Sequence, residues 1–432
     1  MAAKMHLFSF IMHSPMNHTV GSWANERDGR VAGLRSTEYW QKLGQTLEKG
    51  CFDALFFADI PAAYDNYEDS ADAVIRRGVC WPNHDPMIAL TLVASATKHL
   101  GLVMTKSVSA IHPYDLVRSL STLDYISGGR VGWNIVTGHL RAEHRAVGLK
   151  QMQHDERYDR AEEYLGICSA LWKGIDPDAL VLDKKNAIFA DPAKVHRLEH
   201  EGKYLSCHAT PPVLPSDQGH PVLFQAGSSS RGQQFAIHNA EAIFGVQHSE
   251  AGMHKFMKDL RALAETEGIP APKVTFGIQV VLGDTPEKAE AHRKEMLEKV
   301  SIEGSLARLS GTLGIDFSKA DLEKPLVVQE TQAGRGSMAT KADPNIKTLR
   351  EVAMMNGTST SMYQIVGTPR HVASEMERIW RETGCFGFNI TPTTSNESIE
   401  KFVEQVVPLL QEKKVFRSAY EHTTLRGNLT ND

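Results

Sequence analysis

No two cysteines in this chain have the CxxC spacing that grips zinc or exchanges thiols. The five that exist, Cys51, Cys80, Cys168, Cys207 and Cys385, are scattered and odd in number. A disulfide framework is therefore not expected, and a reducing compartment is. No apolar run approaches the roughly 20 residues of a membrane span, and Met1 to His13 lacks the core and cleavage site of a secretory leader. A cytoplasmic location, with no membrane partner, is the expectation. A basic face is missing too, since the net charge is −5 with both signs evenly mixed. Nucleic acid is then not an expected partner. HExxH and similar close ligand pairs are absent, so metal catalysis has no basis here. Gly128-Gly129-Arg130-Val131-Gly132 has the wrong spacing for GxGxxG and precedes a strand pattern, so no dinucleotide site is read.

What the chain does have is apolar material for a large core, with 41% hydrophobic and 23% charged residues in 432. Short apolar runs alternate with longer amphipathic segments, the pattern of βα units and a parallel sheet. Strands are predicted at His6 to Ile11, Ala54 to Asp59, Gly101 to Val108, Arg130 to Thr137, Val222 to Gly227, Ala242 to Gln247, Thr275 to Gly283 and Gly387 to Pro392. Helices are predicted at Thr37 to Lys49, Pro86 to His99, Pro113 to Ile126, Asp155 to Trp172 and Asn396 to Lys413. Eight such units close into an α/β TIM-type barrel. One barrel domain over residues 1–432 is expected, interrupted by insertions at about 174–219 and 301–363. The Gly-rich run Ala333 to Ser337 in the second insertion is the candidate lid.

Leu223 to Gly232 runs from a strand through the small polar turn Gly227-Ser228-Ser229-Ser230 into a helix. Backbone N–H groups at such a turn face the positive end of a helix dipole, and barrels often bind phosphate in their later βα loops. Gln233 stands where a P-loop lysine would be, and Arg231 breaks a GxSxG elbow, so triphosphate hydrolysis and serine esterase chemistry are both disfavoured. An ordinary capped helix would look the same. His154 and Tyr158 share one face at the start of another helix and supply two donors, although helix capping by Asp155 explains part of that segment. Asp59, Thr105, Asn134 and Thr137 fall at the C-terminal ends of predicted strands, where barrels keep their active sites. Asn134 is the oddest of them, because it interrupts a run that otherwise reads as buried. His13 and His139 lie just past the first and fourth strands.

Taken in order, the motifs Phe57-Ala58-Asp59, Gly132-Trp133-Asn134-Ile135-Val136-Thr137, His154-Asp155-Glu156-Arg157-Tyr158, Gln225-Ala226-Gly227-Ser228-Ser229, Val366-Gly367-Thr368-Pro369, Gly387 to Pro392 and Thr424-Leu425-Arg426 span nearly the whole chain. They resemble those of the nitrilotriacetate, pristinamycin and dibenzothiophene sulfone monooxygenase family, within the bacterial luciferase-like superfamily. The resemblance implies a barrel that takes reduced FMN from a separate NAD(P)H-dependent reductase and uses it with O2 to oxygenate a small molecule. It further implies that Asp59, Thr105, Asn134 and Thr137 surround the flavin ring, and that His154, Tyr158, Gly227, Ser228 and Ser229 hold its phosphate. Homodimers or homotetramers are implied as well. Where the family usually has serine after Thr137, this chain has Gly138-His139, which makes His139, together with His13, a candidate acid or base. Tyr64, Phe244 and Gln247 are the candidate substrate contacts. A deazaflavin-dependent oxidoreductase on the same barrel and a flavin-binding protein without turnover are the alternatives.

Overall fold

The computed structural model describes residues 4–326, 331, 333 and 348–430. Its strands are β1 (His6–Met12), β2 (Ala54–Ala58), β3 (Gly101–Ser107), β4 (Val131–Val136), β5 (Leu180–Asp183), β6 (Ile188–Ala190), β7 (Leu198–Glu201), β8 (Ser206–Ala209), β9 (Val222–Gln225), β10 (Ala242–Gly245), β11 (Val274–Leu282), β12 (Tyr363–Gly367) and β13 (Gly387–Thr391). Eight of these pair in parallel around a ring, in the order β1, β2, β3, β4, β9, β10, β11, β13 and back to β1. The result is a closed α/β barrel, and all eight predicted strands are its staves.

Side chains alternate along each stave, so even and odd positions part into two cores. Phe8, Phe10, Ala54, Phe56, Val103, Val222, Phe224, Ala242 and Phe244 fill the interior. Leu7, Ile11, Leu55, Phe57, Leu102, Met104, Trp133 and Ile135 face outward onto the helices. At the N-terminal end the helix Leu425–Thr430 sends Leu425 and Leu429 up into the interior as a floor. A Cβ at Gly101 would lie 2.6 Å from Leu425 and one at Gly132 3.2 Å from it, so glycine at both positions gives this plug its room.

Helix ends follow local chemistry. Asp85 caps Pro86–Ala96, with proline at the first turn, and Ser229 caps Ser230–Asn239. β12 was not predicted: it extends β11 beyond the point where β10 stops, pairing Tyr363–Gly367 with Ile278–Leu282. The first insertion carries the antiparallel hairpins β5–β6 and β7–β8. In the second, the helices Ile302–Leu313 and Leu349–Ser359 pack on each other. Most of the candidate lid, residues 334–337, lies outside the described residues. Among the described residues no helix is long and apolar enough to cross a membrane.

Candidate functional site

The C-terminal mouth of β3 and β4 is where the interior turns polar. Thr105 and Asn134 are register partners on these strands, both pointing inward and both 4% exposed. The Asn134 amide donates to Thr105 Oγ1 at 2.8 Å, while its Oδ1 is buried with no hydrogen-bond partner. An orphaned acceptor at this depth costs about 1–3 kcal/mol unless a ligand donates to it. A similar pair, Asn389 with Thr275 at 2.7 Å, lies deeper on β13 and β11 and also leaves its Oδ1 unmatched. Sequence reasoning missed this second pair, although Gly387-Phe-Asn-Ile-Thr shows the same anomaly as the Asn134 run.

A second feature forms beside it where β9 ends. The Ser229 hydroxyl accepts from Gly232 N–H at 3.1 Å, capping the helix it opens. Tyr158 is 6% exposed, and its hydroxyl lies beside Ser229 and Thr137, between the turn and the end of β4. Burial pushes that phenol's pKa up, so it stays a neutral donor. The His154 ring stands 5.4 Å from the Tyr158 ring, and the Arg231 guanidinium lies over Tyr158 while pairing with Asp159 and Glu162. A Cβ at Gly227 would meet the Gln225 amide at 2.5 Å, and one at Gly232 would meet Tyr158 Oη at 2.6 Å. The structure thus brings Thr137, His154, Tyr158, Gly227, Ser228 and Ser229 into one cradle, at the N-terminus of a ten-residue helix.

Ionisable groups line the rim. Burial, with Arg157 and His144 nearby, pushes the His139 pKa down to about 4, and its buried Nε2 has no partner. His139 is therefore a neutral imidazole near pH 7. Two buried groups escaped the sequence reading. His18 stacks on the inward-facing Phe10 at 4.3 Å with its Nε2 unmatched, and burial followed by Arg308 and Arg30 keeps it uncharged. As one histidine among 19, it carried no signal. Glu143 is 3% exposed with an unmatched Oε1. No apolar face of the short helix Arg141–Ala146 marks it.

Other predicted residues sit elsewhere. On β2, Ala54 and Phe56 point inward while Leu55 and Phe57 point outward, and the same alternation turns Asp59 away from the interior. Its carboxyl accepts from Asn83 at 3.0 Å and lies 3.5 Å from Lys106, which also pairs with Asp85 at 2.8 Å. These contacts place it at the rim. His13 is likewise turned outward: its ring meets Trp40 edge-on at 4.7 Å and its Nδ1 bonds the Asp85 carbonyl at 3.2 Å. That wedges it between β1 and the helix behind it. Phe244 belongs to the interior packing, 4.7 Å from Phe10 and 5.8 Å from Phe56, so it fills the barrel instead of lining a pocket. Tyr64 lies in an apolar cluster with Met12, Met16 and Leu140, flat against Gly311 of the helix Ile302–Leu313. Gln247 is buried against Gly252 just past β10.

Burial raises Asp59 to about 6, with Lys106 opposing and Asp85 reinforcing the shift. The folded state therefore holds this proton more tightly than the unfolded chain. The stability this brings is complete below about pH 4 and is lost as the pH rises through about 6. Asp59→Asn cannot titrate. Its urea midpoint relative to wild type is expected to improve between about pH 4.5 and about pH 7.5, and an unchanged gap between the two would contradict the assignment.

A family model described as luciferase-like monooxygenase matches residues 5–385. The chain belongs to this family. The dimethyl-sulfide monooxygenase of Hyphomicrobium sulfonivorans is 36% identical over 441 residues, covering 100% of this chain and 92% of that protein. The long-chain alkane monooxygenase of Geobacillus thermodenitrificans is 35% identical, covering 99% of this chain and 94% of that protein. The solved long-chain alkane monooxygenase superposes with a TM-score of 0.90 at 35% identity over 99% of this chain and 96% of that one. A riboflavin lyase solved with modified FMN and riboflavin gives a TM-score of 0.92 at 31% identity over 99% of this chain and 95% of that one. This luciferase-like protein is thus a flavin-dependent monooxygenase. Its own residues fit such a cofactor, since a phosphate-bearing flavin needs both an anion-binding turn and polar partners for its ring edge. The cradle at Gly227–Ser229 and the orphaned Asn134 Oδ1 stand side by side in one mouth.

Proposed function

We propose that this monooxygenase binds FMN in its reduced form, delivered by a separate NAD(P)H-dependent reductase, and uses it with O2 to place one oxygen atom on a small sulfur-, nitrogen- or carbon-centred substrate. The observation that carries the reading is the Tyr158 hydroxyl, which stands between the helix-start turn at Ser229 and the end of β4, so that a phosphate cradle adjoins the polar layer at Asn134. Reduced flavin supplies the electrons and the site of oxygen activation; everything else falls to the protein. His154, Tyr158 and the Gly227–Ser229 backbone grip the phosphate. Asn134 Oδ1 accepts from a ring N–H, and Thr105 fixes that amide's orientation. Thr137, beside the Tyr158 hydroxyl, closes the β4 side of the cradle.

His139 has a narrower role than an acid–base residue working in both directions. With a pKa near 4 it is uncharged at neutral pH, so it takes or relays a proton at Nε2 but brings none as imidazolium. Tyr64 and Gln247 contribute the wall beyond the ring, where substrate is chosen. Water exclusion would fall to the buried cluster of Met12, Met16, Tyr64 and Leu140, which would keep solvent from the oxygen chemistry that reduced flavin supplies.

Chemically reduced FMN mixed with the protein, dimethyl sulfide and 18O-labelled O2 tests the reading directly. The expected result is substrate-dependent oxygen uptake above flavin autoxidation, with label in the product. If no compound in a panel of thioethers, amines and alkanes gains label while reduced FMN binds, the oxygenase assignment is wrong.

A further inference from the structure

The helix Arg141–Ala146 lies across the C-terminal ends of the neighbouring staves. Arg141 donates to the Asp65 carbonyl and to Asp69, both at 2.7 Å, and Arg145 reaches Asp65 at 3.0 Å, pinning the helix to the loop after β2. Residues two apart on a helix point about 200° apart, so Glu143 is turned to the opposite side, toward the barrel. Its carboxyl is 3% exposed and lies against the hydroxyl of Ser107, the next inward-facing residue of β3 beyond Thr105. The ionisable groups near it are Asp59 from the end of β2, His144 from its own helix and Arg157 from the helix His154–Lys173. Burial pushes its pKa up, with Ser107, His144 and Arg157 opposing.

A buried carboxylate oxygen with no donor is an unstable arrangement. It is relieved if the group becomes a neutral acid or if a ligand brings a donor. Reduced flavin near neutral pH is an anion, and its ring would enter at the Thr105 and Asn134 layer directly beneath Ser107. Two negative charges in so dry a space cannot both persist. Resting on the flavin-binding reading above, we propose that Glu143 takes up one proton from solvent as reduced FMN binds, and meets the anionic ring as a neutral hydrogen-bond donor. Binding of reduced flavin is then proton-coupled through this chain, whereas oxidised FMN, whose ring is neutral, provokes no such uptake.

Anaerobic calorimetric titration of reduced FMN in buffers of different ionisation enthalpy counts the protons exchanged. Glu143→Gln mimics the neutral acid and cannot titrate, so wild type is expected to take up about one more proton than this variant. The wild-type affinity for reduced FMN should fall up to tenfold per pH unit, relative to the variant, above the Glu143 midpoint of the free protein. Ser107→Ala, which removes the hydroxyl favouring the ionised form, should move that fall to higher pH. With oxidised FMN, wild type and Glu143→Gln should exchange the same number of protons. If wild type binds reduced FMN but matches Glu143→Gln in both proton count and pH slope, the inference is overturned. If wild type binds no reduced FMN at all, the flavin-site reading itself is what fails. Should Glu143→Gln not fold, by its unfolding midpoint, an unmoved pH profile in Ser107→Ala would refute the coupling on its own.

Discussion

A Gly232→Val protein is expected to bind FMN about a hundredfold more weakly than wild type while keeping its barrel. The Cβ alone would stand 2.6 Å from Tyr158 Oη, 3.0 Å from Ser229 Oγ and 3.1 Å from the Gly227 Cα. Valine adds two methyl groups to that collision, so the Tyr158 hydroxyl must move out of the cradle, and the Ser229 cap on its helix is disturbed. Hydrogen bonds to a charged group are worth roughly 1.5–3 kcal/mol each. Losing the tyrosine donor and the alignment of one backbone N–H therefore removes about 3 kcal/mol, or about two decades of affinity. Tyr158→Phe deletes only the hydroxyl, and about tenfold is expected from it. Flavin fluorescence titration measures both. Unchanged affinity in Gly232→Val would mean that the phosphate is bound elsewhere.

The largest stability effect is expected at the other end of the barrel. Asp53 precedes β2, with a side chain that is completely buried. It accepts from Leu7 N–H at 2.8 Å, from His6 Nδ1 at 2.7 Å and from the Arg417 guanidinium. Asp53→Ala leaves a largely buried arginine without its carboxylate, an arrangement that costs about 3–5 kcal/mol. Its midpoint in urea should drop accordingly. Burial alone would raise the Asp53 pKa, but Arg417 and His6 outweigh it and hold the carboxyl below its ordinary value. For a depressed acid the stabilisation is present above the unfolded value of about 4 and is lost as the pH falls through the folded one, so the gap to Asp53→Ala should narrow below about pH 4. FMN affinity should stay at the wild-type level wherever the variant is folded, because Asp53 lies on the face opposite the mouth. A variant as stable as wild type at pH 7 would show that Arg417 finds another partner.

The staves were legible because each is a compact apolar run set between amphipathic helices, and the two helices Thr37–Lys49 and Pro113–Ile126 ended where predicted. β12 was not legible: Tyr-Gln-Ile-Val-Gly is short and half polar, and only the outer edge of β11 makes it a strand. The hairpins of the first insertion were hidden by their aspartates, prolines and histidines. Within the site, Asn134 and the Gly227–Ser229 turn were readable because each breaks a local rule, an amide in an apolar stave and a run of small residues at a helix start. For Asp59 and His13 only the position at a strand end was legible. Sequence places a residue at a strand end, but a shift of one position decides which face it takes. For Phe244, chain position cannot tell an inward stave residue near the mouth from one deeper in the plug. Glu143 was invisible because its burial comes from a helix that Arg141 and Arg145 tie down to aspartates about 80 residues earlier in the chain.

The floor made by Leu425 and Leu429 bears on how the molecule is synthesised. Those side chains close an interior whose first aromatic residues, Phe8, Phe10 and Phe56, emerge from the ribosome long before them. Linking such distant segments is thermodynamically inexpensive, since each doubling of a loop costs only about 0.6 kcal/mol. It is slow, however, because the contacts come late in the search. A nascent chain halted after β9 would already hold Phe8, Phe56 and Phe224 in an open trough without its last staves or its base, and would depend on chaperone cover until the final helix arrives.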